Sequence, residues 1–310
     1  MVDRALVAGV RVSAWTFDEL YGRDGKFLDA MEQREQVFVG EIPPNAHGWS
    51  RKPKILHTGP KTPGSGRSKK YPRLAVGYHS SEVRDLAKYS PVFRQQSWQP
   101  YRIKNTDQGP LVWEVKWAVF WRKDEDGFAT RRHCLIVARN VLTDEVKYFL
   151  SNRVPGERNP VTGQNITLRW QLRVAFGRCS IESCFREGKE ELGLDHYEAR
   201  GWQCVHRHFY ITQLSHLFCA RVRLEYDTGS GEQLDRITVE QVRSATNVWL
   251  DVADLPPASR RERLMDELRK QRYHQRRNKQ ARVSHTKTRI NLLTAAGIDI
   301  TKIKSCVPDT

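Results

Sequence analysis

No stretch of this 310-residue chain approaches the ~20 consecutive apolar residues that a membrane-spanning helix needs. Its opening residues, MVDRALVAGVRVSAW, lack an apolar core followed by a small-residue cleavage site, which argues against secretion. The cysteines (Cys134, Cys179, Cys184, Cys204, Cys219 and Cys306) form no Cys-x-x-Cys pair, so the common structural zinc motifs have no foothold. A reduced cytoplasmic protein without structural zinc is the expectation. Gly64-Ser65-Gly66 lacks the Gly-Lys-Ser/Thr ending of a phosphate loop. Acid is scarce relative to base: 36 Asp and Glu stand against 52 Lys and Arg, a net charge of +16.

That excess points to a polyanionic partner, most often nucleic acid, because it is concentrated in segments rather than spread evenly. Arg51 to Arg73 carries Arg51, Lys52, Lys54, Lys61, Arg67, Lys69, Lys70 and Arg73 among prolines and glycines, with no acid, and reads as a basic loop. Arg260 to Arg289 carries twelve cations, Arg276 and Arg277 among them, against Glu262, Asp266 and Glu267. Such a tract can neutralise phosphates whatever the base sequence. The blander readings are a solvated linker and a solvated helix face.

Aromatics are plentiful, with 9 Trp, 11 Phe and 10 Tyr, so a sizeable core is available. Residues 10 to 17 (VRVSAWTF) read as a strand ending at Asp18, Lys26 to Arg34 as a short helix, and Gln36 to Ile42 as a second strand. This strand-helix-strand unit marks an α/β protein. From Leu111 to Leu150 the pattern is β, with Trp113, Trp117 and Trp121 on one alternating stripe. That stripe is a sheet face, with base stacking as the alternative. Thr167 to about Gly193, Val205 to Leu224 and Thr238 to Leu250 read as helices, the last with Thr238 and Gln241 as a capping box. The expected division is 1–45 (core strands), 46–165 (basic loop and β-rich insertion), 166–225 (core helices) and 226–310 (basic helical tail).

The stretch Arg178 to Tyr197, RCSIESCFREGKEELGLDHY, places Arg178, Glu182 and Lys189 on one face of a helix, with Ile181, Phe185 and Leu192 as the neighbouring apolar stripe that would anchor it to a sheet. An ordinary salt-bridged surface would look the same. The spacing Arg-x3-Glu-x6-Lys, followed by LGLDHYEARGWQCVHRHFYITQLSHLF, resembles the YREK signature of DDE-type insertion-sequence transposases. Asp18-x-x-Tyr21-Gly22 after a strand is similar to the block around that family's second catalytic aspartate. The resemblance covers roughly Val7 to Phe218, with the two blocks in the family's order and a β-rich segment between them.

The resemblance implies a partial RNase H-like domain interrupted by a β insertion, and DNA transposition by Mg2+-dependent phosphodiester hydrolysis and transesterification. Asp18 and Glu182 would be metal-binding carboxylates, suited to a two-Mg2+ task by their oxygen donors. Arg178, Arg186, Lys189, Lys69, Lys70, Arg276 and Arg277 would hold the phosphates of double-stranded transposon-end DNA, with a second copy of the chain as a further partner. Two departures stand out. Ala175 occupies the place of the signature tyrosine, beside Phe176, whose ring lacks the hydroxyl. No upstream strand supplies the family's first aspartate, since Asp3 lies too close, which leads to the expectation of an N-terminally truncated and incomplete enzyme. The alternatives are a noncatalytic DNA-binding remnant or regulator of transposition, and an unrelated RNA-binding protein. His206 and His208, two apart on a helix, point in different directions and suit packing or phosphate contacts better than zinc.

Overall fold

The computed structural model describes residues 2–56, 71–198, 200–229 and 237–307. Their elements run α1 (Val2–Val7), α2 (Glu19–Gly22), α3 (Gly25–Gln33), β1 (Val39–Ile42), β2 (His47–Trp49), β3 (Ile55–Leu56), β4 (Arg73–Leu74), β5 (Ser81–Glu82), α4 (Val83–Tyr89), α5 (Pro91–Arg94), β6 (Gln99–Thr106), β7 (Gly109–Lys123), β8 (Ala129–Asn140), β9 (Val146–Ser151), α6 (Leu168–Gly177), α7 (Cys179–Leu192), α8 (Trp202–Gly229), α9 (Val239–Asp251), α10 (Pro257–Ala295) and β10 (Lys304–Ser305). They form two compact units: Met1–Arg178 with Arg289–Thr310, and Cys179–Thr288. The protein is of mixed α/β class.

The first unit is built on an eight-stranded mixed sheet ordered β1-β9-β8-β7-β2-β5, with β6 also on β7 and β10 parallel beyond β6. Strand β7 is long enough to serve two neighbours on one edge: its first half pairs with β6 and its last residues with β2. The turn at 124–127 that leads into β8 closes through Gly127 N–H donating to the Asp124 carbonyl, with Gly127 in the left-handed region at φ 86°.

Both faces of the sheet are buried. On one, Trp113, Val115, Cys134, Ile136, Ala138 and Phe149 pack under α6 through Leu172 and Phe176. On the other, Ala118, Phe120, Leu135, Val137 and Leu150 pack with Leu28 and Met31 of α3, Val83 and Leu86 of α4, and Phe93 of α5. The tryptophan stripe is therefore a sheet face: Trp113 is 3% exposed and lies against Phe176 with ring centroids 4.9 Å apart. Gln171, fully buried beneath it, donates from Nε2 to the Arg153 carbonyl at 2.7 Å, and Cys134, whose thiol burial pushes well above its ordinary range, donates to its Oε1.

The strand expected over residues 10–17 is reduced to a short extended stretch. Trp15 forms a parallel bridge with Phe38, and the Phe17 carbonyl accepts from Glu41 N–H at 3.0 Å. Residues 2–7 before it are helical, and Asp3 is engaged with Arg34. Parallel bridge, α3 and β1 still make the strand-helix-strand unit. Its second strand joins the β-rich segment directly, because β1 pairs antiparallel with β9 from Val39↔Ser151 to Ile42↔Tyr148. The ends of the basic loop pair as the small β3-β4 ribbon; residues 57–70, with Lys69 and Lys70, lie outside the described residues.

The helix expected from Thr167 to Gly193 is two helices, with the break at Arg178. Gly177 immediately before it is a weak helix former, costing about 1 kcal/mol relative to alanine, and the break falls there. Thr167 caps α6 as its Oγ1 accepts from Trp170 N–H. The capping box at α9 is as the sequence implies: Gln241 N–H donates to Thr238 Oγ1 at 3.2 Å, and Thr238 N–H to Gln241 Oε1 at 2.9 Å. In the second unit, α7, α8 and α9 meet around Cys219, Val239 and Val242.

Phe120 is 1% exposed at the centre of its face. Truncation by Phe120→Ala is expected to lower stability by about 3–5 kcal/mol. Urea unfolding should show an earlier midpoint with an unchanged slope.

Candidate nucleic-acid interface

Asp18 sits where the parallel stretch turns into α2. Its Oδ1 accepts from Leu20 N–H at 3.1 Å and Tyr21 N–H at 3.4 Å, so the carboxylate caps the helix start. The rest of the Asp-x-x-Tyr-Gly block has structural reasons as well. Tyr21 lies against Phe27 with ring centroids 5.3 Å apart. Gly22 passes so close to β1 that a Cβ there would stand 1.8 Å from the Glu41 carbonyl oxygen. Just before the block, Phe17 lies over Gly40, where a Cβ would meet the ring at 1.9 Å. The block thus fixes how strand, turn and α2 stack on β1.

Glu182 and Lys189 lie seven residues apart on α7, on one face and both exposed. Arg178 lies before the helix, partly buried at the end of α6. Arg186 is exposed and 4.0 Å from Glu190. The apolar stripe expected to anchor this helix to a sheet does not do so: Ile181 and Phe185 are about half exposed, and α7 packs on α8 and α9 instead. The inward ties are Leu192, which packs on the Cys219, Val239 and Val242 cluster, and polar pairs: Glu187 faces His216 at 3.3 Å and Arg223 at 3.8 Å, and Glu191 faces Arg243 at 3.2 Å. Phe176 does not stand in for the signature tyrosine, since it is buried against Trp113 and Phe149 beneath the sheet.

The resemblance implies Mg2+ at Asp18 and Glu182, and carboxylate oxygens suit that ion. The two residues belong to different units, and among the described residues no group of three or more His, Cys, Asp or Glu side chains could hold a metal ion. The implied centre is therefore carried by the resemblance alone. The histidines have other partners: His208 Nε2 meets the Gly193 carbonyl at 2.8 Å, and His206 lies tilted against Trp202 with centroids 3.9 Å apart.

The strongest electrostatic feature is α10. Its 39 residues correspond to about 58 Å at 1.5 Å per residue. Between Leu268 and Ile298 the sequence holds Arg269, Lys270, Arg272, Arg276, Arg277, Lys279, Arg282, Lys287 and Arg289, with no Asp or Glu. At ~100° per residue, the partly covered positions Leu264, Glu267, Gln271, Gln275, Arg282 and Thr286 form one stripe. Arg269, Lys270, Arg276, Arg277 and Lys287 fall on the opposite half, with Arg272 and Lys279 on its flank, and all seven are exposed. Tyr273, 56% exposed, lies among them with the Arg277 guanidinium 6.0 Å from its ring and donating to its hydroxyl at 3.2 Å.

One residue of the partly covered stripe, Glu267, is tied to α9. Glu267 accepts from Gln271 at 2.5 Å and Ser244 at 2.8 Å, and these hydrogen bonds hold its carboxyl below the usual carboxylate range. Arg260, one of the twelve cations of the tract, is engaged elsewhere: it donates to the Val252, Ala253 and Leu255 carbonyls and closes the end of α9. Sequence spacing pointed to the tract but not to its division into a partly covered stripe and a basic side.

No protein-family model matches this chain, and no curated protein gives a significant match.

Two substitutions test the Asp18 corner. Gly22→Ala is expected to cost about 1–3 kcal/mol, because the Glu41 carbonyl must be displaced. Asp18→Ala should cost about 1 kcal/mol and Asp18→Asn, which keeps the accepting oxygen, much less. Equal losses for Asn and Ala in denaturant unfolding would show that capping is not what Asp18 contributes.

Proposed function

We propose that this chain binds double-stranded DNA through the phosphate backbone, as a noncatalytic member of a transposition system. The observation that carries the reading is the exposed side of α10, where seven cations lie outside the partly covered stripe in a stretch whose sequence holds no Asp or Glu. Duplex DNA offers about one negative charge per 1.7 Å of axis, so a basic helix of this length can meet many phosphates at once. Arg276 and Arg277 belong to this side; Lys189 and Arg186 add exposed positive charge on α7. The link to transposition rests on the Arg178/Glu182/Lys189 and Asp18-Tyr21-Gly22 blocks and their likeness to DDE transposases.

Full DDE chemistry, with Asp18 and Glu182 holding Mg2+, is the second reading, favoured by the same two blocks. It requires at least one further carboxylate beside them. What the chain's own residues supply is positive charge and its placement; Glu182 is exposed on α7, between the cations Arg178 and Lys189 in sequence.

Binding is expected to be insensitive to base sequence and to weaken steeply with salt, by roughly 10³–10⁵ between 50 and 200 mM if six to ten phosphates are contacted. In the double variant Arg276→Ala, Arg277→Ala the slope of log K against log salt should become shallower by about 2. An unchanged slope would remove α10 from the interface. Plasmid incubated with the chain and Mg2+ is expected to remain intact. Nicking that disappears in Glu182→Ala would overturn the noncatalytic reading in favour of the second.

A further inference from the structure

Between α7 and α8 lies a set of side chains that neither reading uses. Cys184 Sγ is 3.3 Å from His216 Nδ1, and His216 Nε2 is 3.3 Å from Glu187 Oε2. Cys184 and Glu187, three apart, lie on the same face of α7 and bracket the imidazole from α8. Arg223, two turns along α8 from His216, stands 3.8 Å from the same Glu187 oxygen. His216 is mostly covered, at 15% side-chain exposure, whereas Cys184 retains access to solvent. The order thiol, imidazole, carboxylate has a defined chemical sense. With Nε2–H donating to Glu187, the imidazole is held in the tautomer whose Nδ1 is an acceptor, and that nitrogen is the one facing sulfur. A base oriented by a third group next to a nucleophile is the general arrangement of an activated nucleophile.

The geometry points to Cys184 as a reactive thiol, activated by His216 under the orientation of Glu187, that takes small disulfides as its reaction partners. As Sγ attacks one sulfur of the disulfide, a new S–S bond forms and the old one breaks. The thiol proton passes to His216 Nδ1, and the departing half leaves as a thiolate. Cys184 is oxidised to the mixed disulfide while the departing sulfur is reduced, so no further oxidant is needed; a second thiol reverses the step. The imidazolium formed lies against Glu187, whose charge it balances. The adduct occupies the α7–α8 contact two residues from Glu182.

Four of the remaining five cysteines provide internal standards. Cys204 is exposed, and Cys134, Cys219 and Cys306 are buried. Burial raises the thiols of Cys219 and Cys306, the latter to about 11. The experiment treats the whole chain with an aromatic disulfide reagent, follows the released thiolate, and assigns the modified cysteines by peptide mass. Cys184 is expected to react at least about tenfold faster than Cys204 despite its lower exposure. His216→Ala should remove that advantage and leave Cys204 unchanged, and added imidazole should restore part of it, which a merely structural role for His216 would not allow. If His216→Ala unfolds the second unit, buried Cys219 will react as well. Glu187→Gln, which keeps an accepting oxygen but no charge, then decides, and there Cys184 should slow by severalfold. The inference falls if Cys184 reacts no faster than Cys204, or if both folded variants leave its rate unchanged.

Discussion

Burial of both faces of the β7–β8 pair governs how the first unit is assembled. The register sets Val115 opposite Ala138, Trp117 opposite Ile136 and Ala118 opposite Leu135, so each face receives its own apolar set. A slip of one residue would exchange the two sets and present α6 with the side chains meant for α3, α4 and α5. Because neither face can be left to water, helices are needed on both sides. The placement of Asp18 follows from this: β1 is held on β9, Trp15 is bridged to Phe38 beside β1, and α2 is pressed against the Glu41 carbonyl at Gly22.

The second unit is organised by different forces. Its described residues form helices and no strand, and their apolar centre is small, around Cys219, Val239 and Val242. Directional polar contacts between helices carry much of the specificity: Glu191 with Arg243, Glu187 with His216 and Arg223, Ser244 with Glu267, and Arg260 with carbonyls just beyond α9. Much apolar surface stays outside, including Trp202, Ile211, Leu214 and Leu217 on α8. On α10 the cations gather on the side away from the partly covered stripe that holds Glu267. Charge and partial burial therefore fall on different sides of the same helix.

The two candidate chemistries of the chain are kept apart by their surroundings. Phosphate binding needs cations exposed to a large polyanion, which the outer side of α10 provides. Thiol chemistry needs a base held in one tautomer and shielded from water, which the α7–α8 contact provides. Glu182 and Lys189 lie on the exposed side of α7, while Cys184 and Glu187 turn toward α8.

Elements whose signals are local were legible in the order of residues alone. Period-two alternation marked β7 to β9, Thr238 and Gln241 marked the capped start of α9, and the run of cations marked the basic tract of α10. Composition also set the net charge of +16 and with it the expected class of partner. Packing settled whatever depends on residues distant in the chain. Ile181 and Phe185 follow the pattern of a buried stripe yet stand half exposed, because periodicity says which side of a helix is apolar but not what lies opposite. Phe176 went to the sheet because Trp113 and Phe149 offered a pocket for its ring. His216 reached Cys184 and Glu187, about thirty residues away, by the packing of α7 on α8, and neither spacing nor composition encodes that meeting.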